Sequence, residues 1–236
     1  MPLKTIKTLL AGSLAIALVQ HAFAAPEELQ LLWGDTHLHT SHSADVFMFD
    51  TPHSTPDTAY RFAKGLPVLA PTTNTMVRLN QPLDFLVVAD HAEILGSVNR
   101  IFAGEPEFSE SKSGKIIRDI EQREGSLISA YGAILTALFR GEDRASGLTA
   151  GQVVKDLQAG DKRKNTWHEN NAAADFHNEP GKFTALIGWE WSSMVNGANL
   201  HRVVITDSDA QTANTYLPFS QFESSDPEDL WAWLEQ

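Results

Sequence analysis

Histidines and carboxylates recur in three short stretches of this chain, each beside an apolar run. The first stretch is Gly34-Asp35-Thr36-His37-Leu38-His39-Thr40. Residues two apart in a strand point the same way, so His37 and His39 offer two imidazoles to one side. Asp45 follows six residues after His39, in a loop from which it could reach the same centre, with His42 between them. Taken alone, a His-x-His pair reads equally well as a surface strand that happens to carry two histidines. The second stretch is Asp90-His91, directly after the apolar run LDFLVVA at 83–89. Polar residues at the exit of a buried strand face the site in barrel enzymes, although Asp is also an ordinary turn residue there. Glu93, nearby, is assigned to solvent. The third stretch is Gly188-Trp189-Glu190-Trp191, with His201 downstream. Burying an unpaired carboxylate between two tryptophans is expensive, so Glu190 needs a partner. If the Asn196-Gly197 turn signal closes a hairpin, Glu190 and His201 meet at one end of it. The tryptophans themselves read as core or pocket wall.

Together these stretches supply six candidate metal ligands, His37, His39, Asp45, His91, Glu190 and His201. All are nitrogen or oxygen donors, a set that suits zinc, manganese or iron. The chain has no cysteine, which excludes disulfides, thiolate nucleophiles, Cys-type zinc sites and iron–sulfur clusters. Thirty acidic against 18 basic residues give a formal charge of −12. Such a surface repels phosphate backbones and argues against nucleic acid as a partner. With 42% hydrophobic and 20% charged residues, the 236-residue chain has the composition of a globular protein with a sizeable core.

The elements that would position these residues alternate between strand and helix. Residues 31–35, 83–89, 183–191 and 201–206 read as strands, the second and third as buried ones. Thr55-Pro56 opens a helix that Gly65 stops. Residues 97–165 read as a mainly helical insertion, in which Leu127, Ile128, Tyr131, Ile134, Leu135 and Leu138 recur at helical spacing up to Gly141. Thr149 with Gln152, and Thr166 with Glu169, have the capping-box pattern. Asp226-Pro227 starts a last helix that runs to the end of the sequence without a stop signal. This alternation predicts an α/β fold. At the front, Lys4 and Lys7 precede an apolar run at 9–19 and the small–x–small triplet Ala22-Phe23-Ala24, the pattern of a cleaved signal peptide over 1–24. Cleavage after Ala24 would leave 212 residues and, with two lysines gone, a charge of −14. The expected destination is the bacterial periplasm or the exterior, with no membrane anchor after cleavage.

The stretches DTHLHT at 35–40, LDFLVVADH at 83–91, and Glu190 followed by His201-Arg202 resemble the PHP superfamily, the polymerase-and-histidinol-phosphatase metal hydrolases. PLDFLVVADHAE, PGKFTALIGWEWSS and NLHRVVI look most like a large secreted bacterial branch classed as a domain of unknown function. The resemblance covers most of 25–236, least distinctively over 97–165. It implies a distorted seven-stranded β/α barrel, of which this chain is the N-terminal part, around two or three divalent metals. In that reading His37 and His39 hold the first metal, Glu190 bridges to a second held by His201, and Asp45 and His91 bind a third. Asp35 and Asp90 match positions that orient ligands. The family pattern also has a later histidine and a terminal Asp-x-His. No histidine follows His201 here, which suggests a chain truncated at its C-terminus.

The chemistry implied is hydrolysis of a small-molecule phosphate ester by metal-activated water, with no protein nucleophile. Arg202 is a candidate phosphate contact, although strand alternation turns it away from His201. The same chemistry would serve an amide or another ester. A third reading is an inactive fragment whose Trp33, Trp189 and Trp191 line a ligand cleft.

Overall fold

The computed structural model describes residues 29–236 except 50, 52, 196 and 197. The expected signal peptide and the Asn196-Gly197 turn lie outside the described residues. Leu32–Gln236 form one compact unit. Among the described residues no helix is long and apolar enough to cross a membrane.

The fold is mixed α/β, around a curled half-barrel sheet of four strands in the order β1-β4-β7-β8. These strands are β1 (Gly34–Leu38), β4 (Phe85–Val88), β7 (Thr184–Ser193) and β8 (Leu200–Thr206). The first three are parallel and β8 returns antiparallel beside β7. β2 (Val68–Ala70) and β3 (Thr75–Val77) form a separate hairpin. β4 is central and its Leu86, Val87 and Val88 are buried, as a parallel strand covered on both faces requires. The first strand lies three residues later than the apolar run at 31–35 suggests. Leu32 and Trp33 are exposed, and the strand begins at Gly34.

α1 (Pro56–Ala63) starts where Thr55 accepts a hydrogen bond from the Thr58 amide, and it packs with α7 (Gly160–His177) over β4 and β7. Between the two faces of β7 the alternation is strict. Trp189 and Trp191 point into the core, their indole N–H groups donating to the carbonyls of Phe219 and Ser224. Glu190 and Ser192 point the other way. Trp189 and Trp191 are almost fully buried while Trp33 is exposed, so the three do not line a common cleft, contrary to the fragment reading.

Residues 97–165 are mainly helical, as the periodicity predicts. They hold α2 (Ser97–Phe102), α3 (Pro106–Ser109), α4 (Lys112–Glu124), α5 (Leu127–Arg140), the short pair β5 (Glu142–Asp143) and β6 (Leu148–Thr149), α6 (Ala150–Val153) and a π-helical turn at Val154–Gln158. Thr149 caps α6 by accepting from the Gln152 amide, as its capping-box pattern predicts. Thr166 does not cap anything. It is buried inside α7, and its hydroxyl accepts from Arg100 Nε, because the helix already began at Gly160.

The hydrophobic interior divides in two. One cluster lies under the sheet, around Tyr60, Leu86, Trp167, Trp189 and Trp191. The other lies inside the helical block, around Ile117, Ile134, Leu148 and Leu157, and includes Val46 and Phe47 of a 3-10 helix at Ala44–Phe49. Close approach of the strands leaves no room at Gly188. A Cβ there would lie 2.6 Å from Val87 Cγ1 and 2.7 Å from the Val204 carbonyl oxygen. Gly188→Ala is therefore expected to destabilise the fold by about 1–3 kcal/mol, the usual cost of overpacking. Denaturant unfolding checks this, and a midpoint equal to that of the parent protein would contradict it.

Candidate metal centre

Strand alternation, a bulge and a bridge bring the ligand candidates to one place. The β1–β4 register shifts between Asp35 and Leu38, and the Asp35 carboxylate accepts from the His37 amide at 2.8 Å, fixing the backbone that carries the two imidazoles. Beyond β4, the Asp90 carbonyl accepts from the Glu190 amide and the Glu190 carbonyl from the Ala92 amide. This bridge sets His91 beside Glu190. In the β7–β8 hairpin Ser192 faces His201, and Glu190, two residues earlier, shares that face. The meeting of Glu190 and His201 expected from the sequence is present: His201 Nδ1 lies in direct contact with Glu190 Oε1.

Glu190 is the hub. Its Oε2 lies 3.0 Å from His37 Nε2, 2.8 Å from His39 Nε2 and 3.4 Å from His91 Nδ1. The two Nε2 atoms of His37 and His39 are 3.1 Å apart. His39 turns its other nitrogen, Nδ1, to Asp45 Oδ2 at 2.8 Å, and His91 Nε2 lies 3.9 Å from that same oxygen. Ser192 Oγ stands 2.8 Å from His91 Nδ1 and 3.1 Å from His201 Nδ1. Three groups follow in which all ligand atoms lie within 4.8 Å of one another: His37-His39-Glu190, His39-Asp45-His91 and His91-Glu190-His201.

The donor atoms fit divalent cations. Both Glu190 oxygens and Asp45 Oδ1 are buried and make no hydrogen bond. Imidazole nitrogens stand at ion-pair distance from Glu190. Buried carboxylate oxygens left in this state are costly, and a cation among them removes the cost. The separations of 2.8–3.4 Å around Glu190 Oε2 span the ~3.3 Å edge of a tetrahedron built on ~2.0 Å metal–ligand bonds.

Without a cation the cluster is strongly polarised. Burial works to raise the Glu190 carboxyl, yet His39, His91 and His37 hold it down at about 2. Burial disfavours charge on His39, but Asp45 and Glu190 outweigh it and raise the ring to about 10. Asp45 is likewise held well below the usual carboxylate range by His39, against the effect of its own burial. A cation binding through His39 Nε2 must displace a proton. Tyr131, on α5, is pushed upward by burial and by the carboxylates of Asp45, Glu190 and Glu93, and so stays a neutral hydroxyl.

The supporting residues are partly those expected. Asp90 is buried and accepts from the Thr40 amide at 2.5 Å, the Thr40 hydroxyl at 2.8 Å and Asn170 Nδ2 at 3.0 Å. It holds the backbone next to His39, not an imidazole ring. His42 turns to Asn170 on α7 and stays outside the cluster. Arg202 is exposed on the opposite face of β8 and donates to the His201 carbonyl, so nothing aims it at the centre. Glu93 corrects the solvent assignment. It is buried, its Oε1 accepts from the Gln221 amide at 2.9 Å, and its unpartnered Oε2 lies 3.6 Å from His91 Nδ1. Its place two residues beyond His91 was the available signal. Ser192, Asn170 and Tyr131 gave no local signal as site residues.

A family model described as "Protein of unknown function (DUF3604)" matches residues 26–236. No curated protein and no solved structure matches.

Proposed function

The chain belongs to the DUF3604 family, whose description assigns no chemistry, and from its own residues we propose a metal-dependent hydrolase, most directly a phosphoesterase. One observation carries the reading: a buried carboxylate, Glu190, with four imidazoles gathered on it and no hydrogen bond to either oxygen. His37 and His39 through Nε2, with Glu190 Oε2, would hold one cation. His201 through Nδ1, with Glu190 and with His91 beside them, would hold a second. The contact from His39 Nδ1 to Asp45 has the form of a carboxylate that orients a ligating histidine. It leaves Asp45 Oδ1 and His91 Nε2 for a third. The resemblance to the PHP superfamily implies the same six residues, with His91 on the third cation only, and extends the four-stranded sheet to a seven-stranded β/α barrel. The basic, apolar and small-residue order of 1–24 supports export to a periplasm or beyond.

When bound, divalent cations of this kind polarise a phosphoryl oxygen and lower the pKa of water toward neutrality. The chain supplies the geometry. Glu190 keeps two ligand sets in register, Asp45 fixes the His39 ring, and Asp90 fixes the turn after it. Ser192 Oγ stands between His91 and His201.

The test is metal analysis of the purified protein followed by turnover of an aryl phosphate and an aryl acetamide. We expect about two or three equivalents of zinc, manganese or iron per chain. We also expect phosphate hydrolysis that a chelator abolishes and the same metal restores. Faster turnover of the acetamide would move the reading to amide hydrolysis. A well-folded, metal-free protein inert toward both substrates would overturn it.

A further inference from the structure

The helical block does more than cover the sheet. α5 carries two apolar faces. Ala130, Ala133, Ile134 and Ala137 are buried in the second core cluster. Tyr131, buried in the same cluster, starts a second stripe with Leu135 and Leu138, which pack on that cluster but are only half-buried, and Phe139 beside them is 42% exposed. A helix packed on one side only would carry polar residues there. This stripe instead lines a cleft of about 340 Å³. Met48, from the 3-10 helix, and Met194, just after β7, also line it. The floor is charged, made by Asp45, His91, Glu93 and His201. His37 and His39 do not line it, so the cleft reaches the centre from the His91–His201 side.

We propose that this cleft is the substrate site and that the substrate is an ester with an apolar organic group. The apolar group would lie along Leu135, Leu138 and Phe139, and the hydrolysed group would rest on His91 and His201. The cleft's size is that of a small-ligand pocket, and its apolar walls over a few polar groups are the usual pattern of one. Flexible methionines in the lining adapt to apolar groups of different shape. Continuity with the charged floor favours a small molecule with a polar end over a protein helix, which would present an apolar face alone. What happens at the floor rests on the hydrolase reading. The apolar recognition does not.

Two measurements separate these. Calorimetry of n-alkylphosphonates from propyl to octyl against the full chain, metal-free and metal-loaded, should show affinity rising up to about fourfold per added methylene until the cleft is filled. The trend should appear in both forms, because α5 supplies it. The kcat/KM for the matching alkyl phosphates should rise in parallel in the loaded form. Leu138→Asp should flatten the trend to less than twofold per methylene. Phe139→Ser, at an exposed position that does not hold the core, should flatten it in a protein that melts like the parent. No binding of any member, equal binding of propyl and octyl, or a full trend in both variants would overturn the proposal. Hydrolysis without a chain-length trend would sink the cleft and leave the hydrolase reading. A chain-length trend in binding without any hydrolysis would do the reverse.

Discussion

Glu190→Gln should leave a folded protein that has lost most of its bound metal and nearly all turnover. The substitution keeps the shape of a fully buried side chain on a strand whose neighbours, Trp189 and Trp191, are anchored in the core. It removes the charge that both of the best-formed ligand sets share. A carboxylate can offer one oxygen to His37, His39 and His91 and the other to His201. An amide offers one acceptor and turns a donor toward the other cation. Loss of an outer orienting residue in a metal site typically costs 10–100-fold. Loss of the bridging ligand should exceed that, by at least about another tenfold in kcat/KM. Metal content by mass spectrometry and hydrolysis at saturating metal check the two halves separately. A variant that retained its metal and its rate would refute the centre as described.

Asp90→Ala should have the second-largest effect, and on stability first. The buried carboxylate satisfies the Thr40 amide, the Thr40 hydroxyl and the Asn170 amide group. Alanine strands all three inside the protein. Breaking such a buried, charge-assisted set typically costs about 3–5 kcal/mol. For a domain of this size that corresponds to a fall in Tm on the order of 10 °C. Metal affinity should fall with it by about 10–100-fold, because Thr40 follows His39 and the turn is no longer held. Asp90→Asn, which keeps an acceptor, should lie between the two. Thermal unfolding of the metal-free forms makes the comparison, and an alanine variant melting within 2 °C of the parent would contradict the role given to Asp90.

How much of this was legible beforehand depended on how local the signal was. His37, His39, His91, Glu190 and His201 stood out because strand alternation and the ends of apolar runs are properties of neighbouring residues. The β7–β8 pairing was legible for the same reason. The start of β1 was misplaced because Leu32 and Trp33 look buried by type, and only the tertiary arrangement leaves them exposed. Thr166 and Glu169 have the spacing of a helix start, but that spacing also occurs inside any long helix, and α7 had begun six residues earlier. Glu93 looked solvated because a lone Glu in a loop usually is. Its burial depends on the Gln221 and Ser192 amides, which arrive from far along the chain. Asn170 reaches Asp90 across 80 residues, and no local pattern announces such a meeting.

The split interior has a consequence for how such a protein diversifies. The side chains proposed to grip cations hang mostly from the sheet, over one cluster of packed residues, while the wall of the cleft belongs to helices that close around another. If the cleft is the substrate site proposed above, rewriting that one block of helices would change which molecule fits while the cation-holding strands stay as they are.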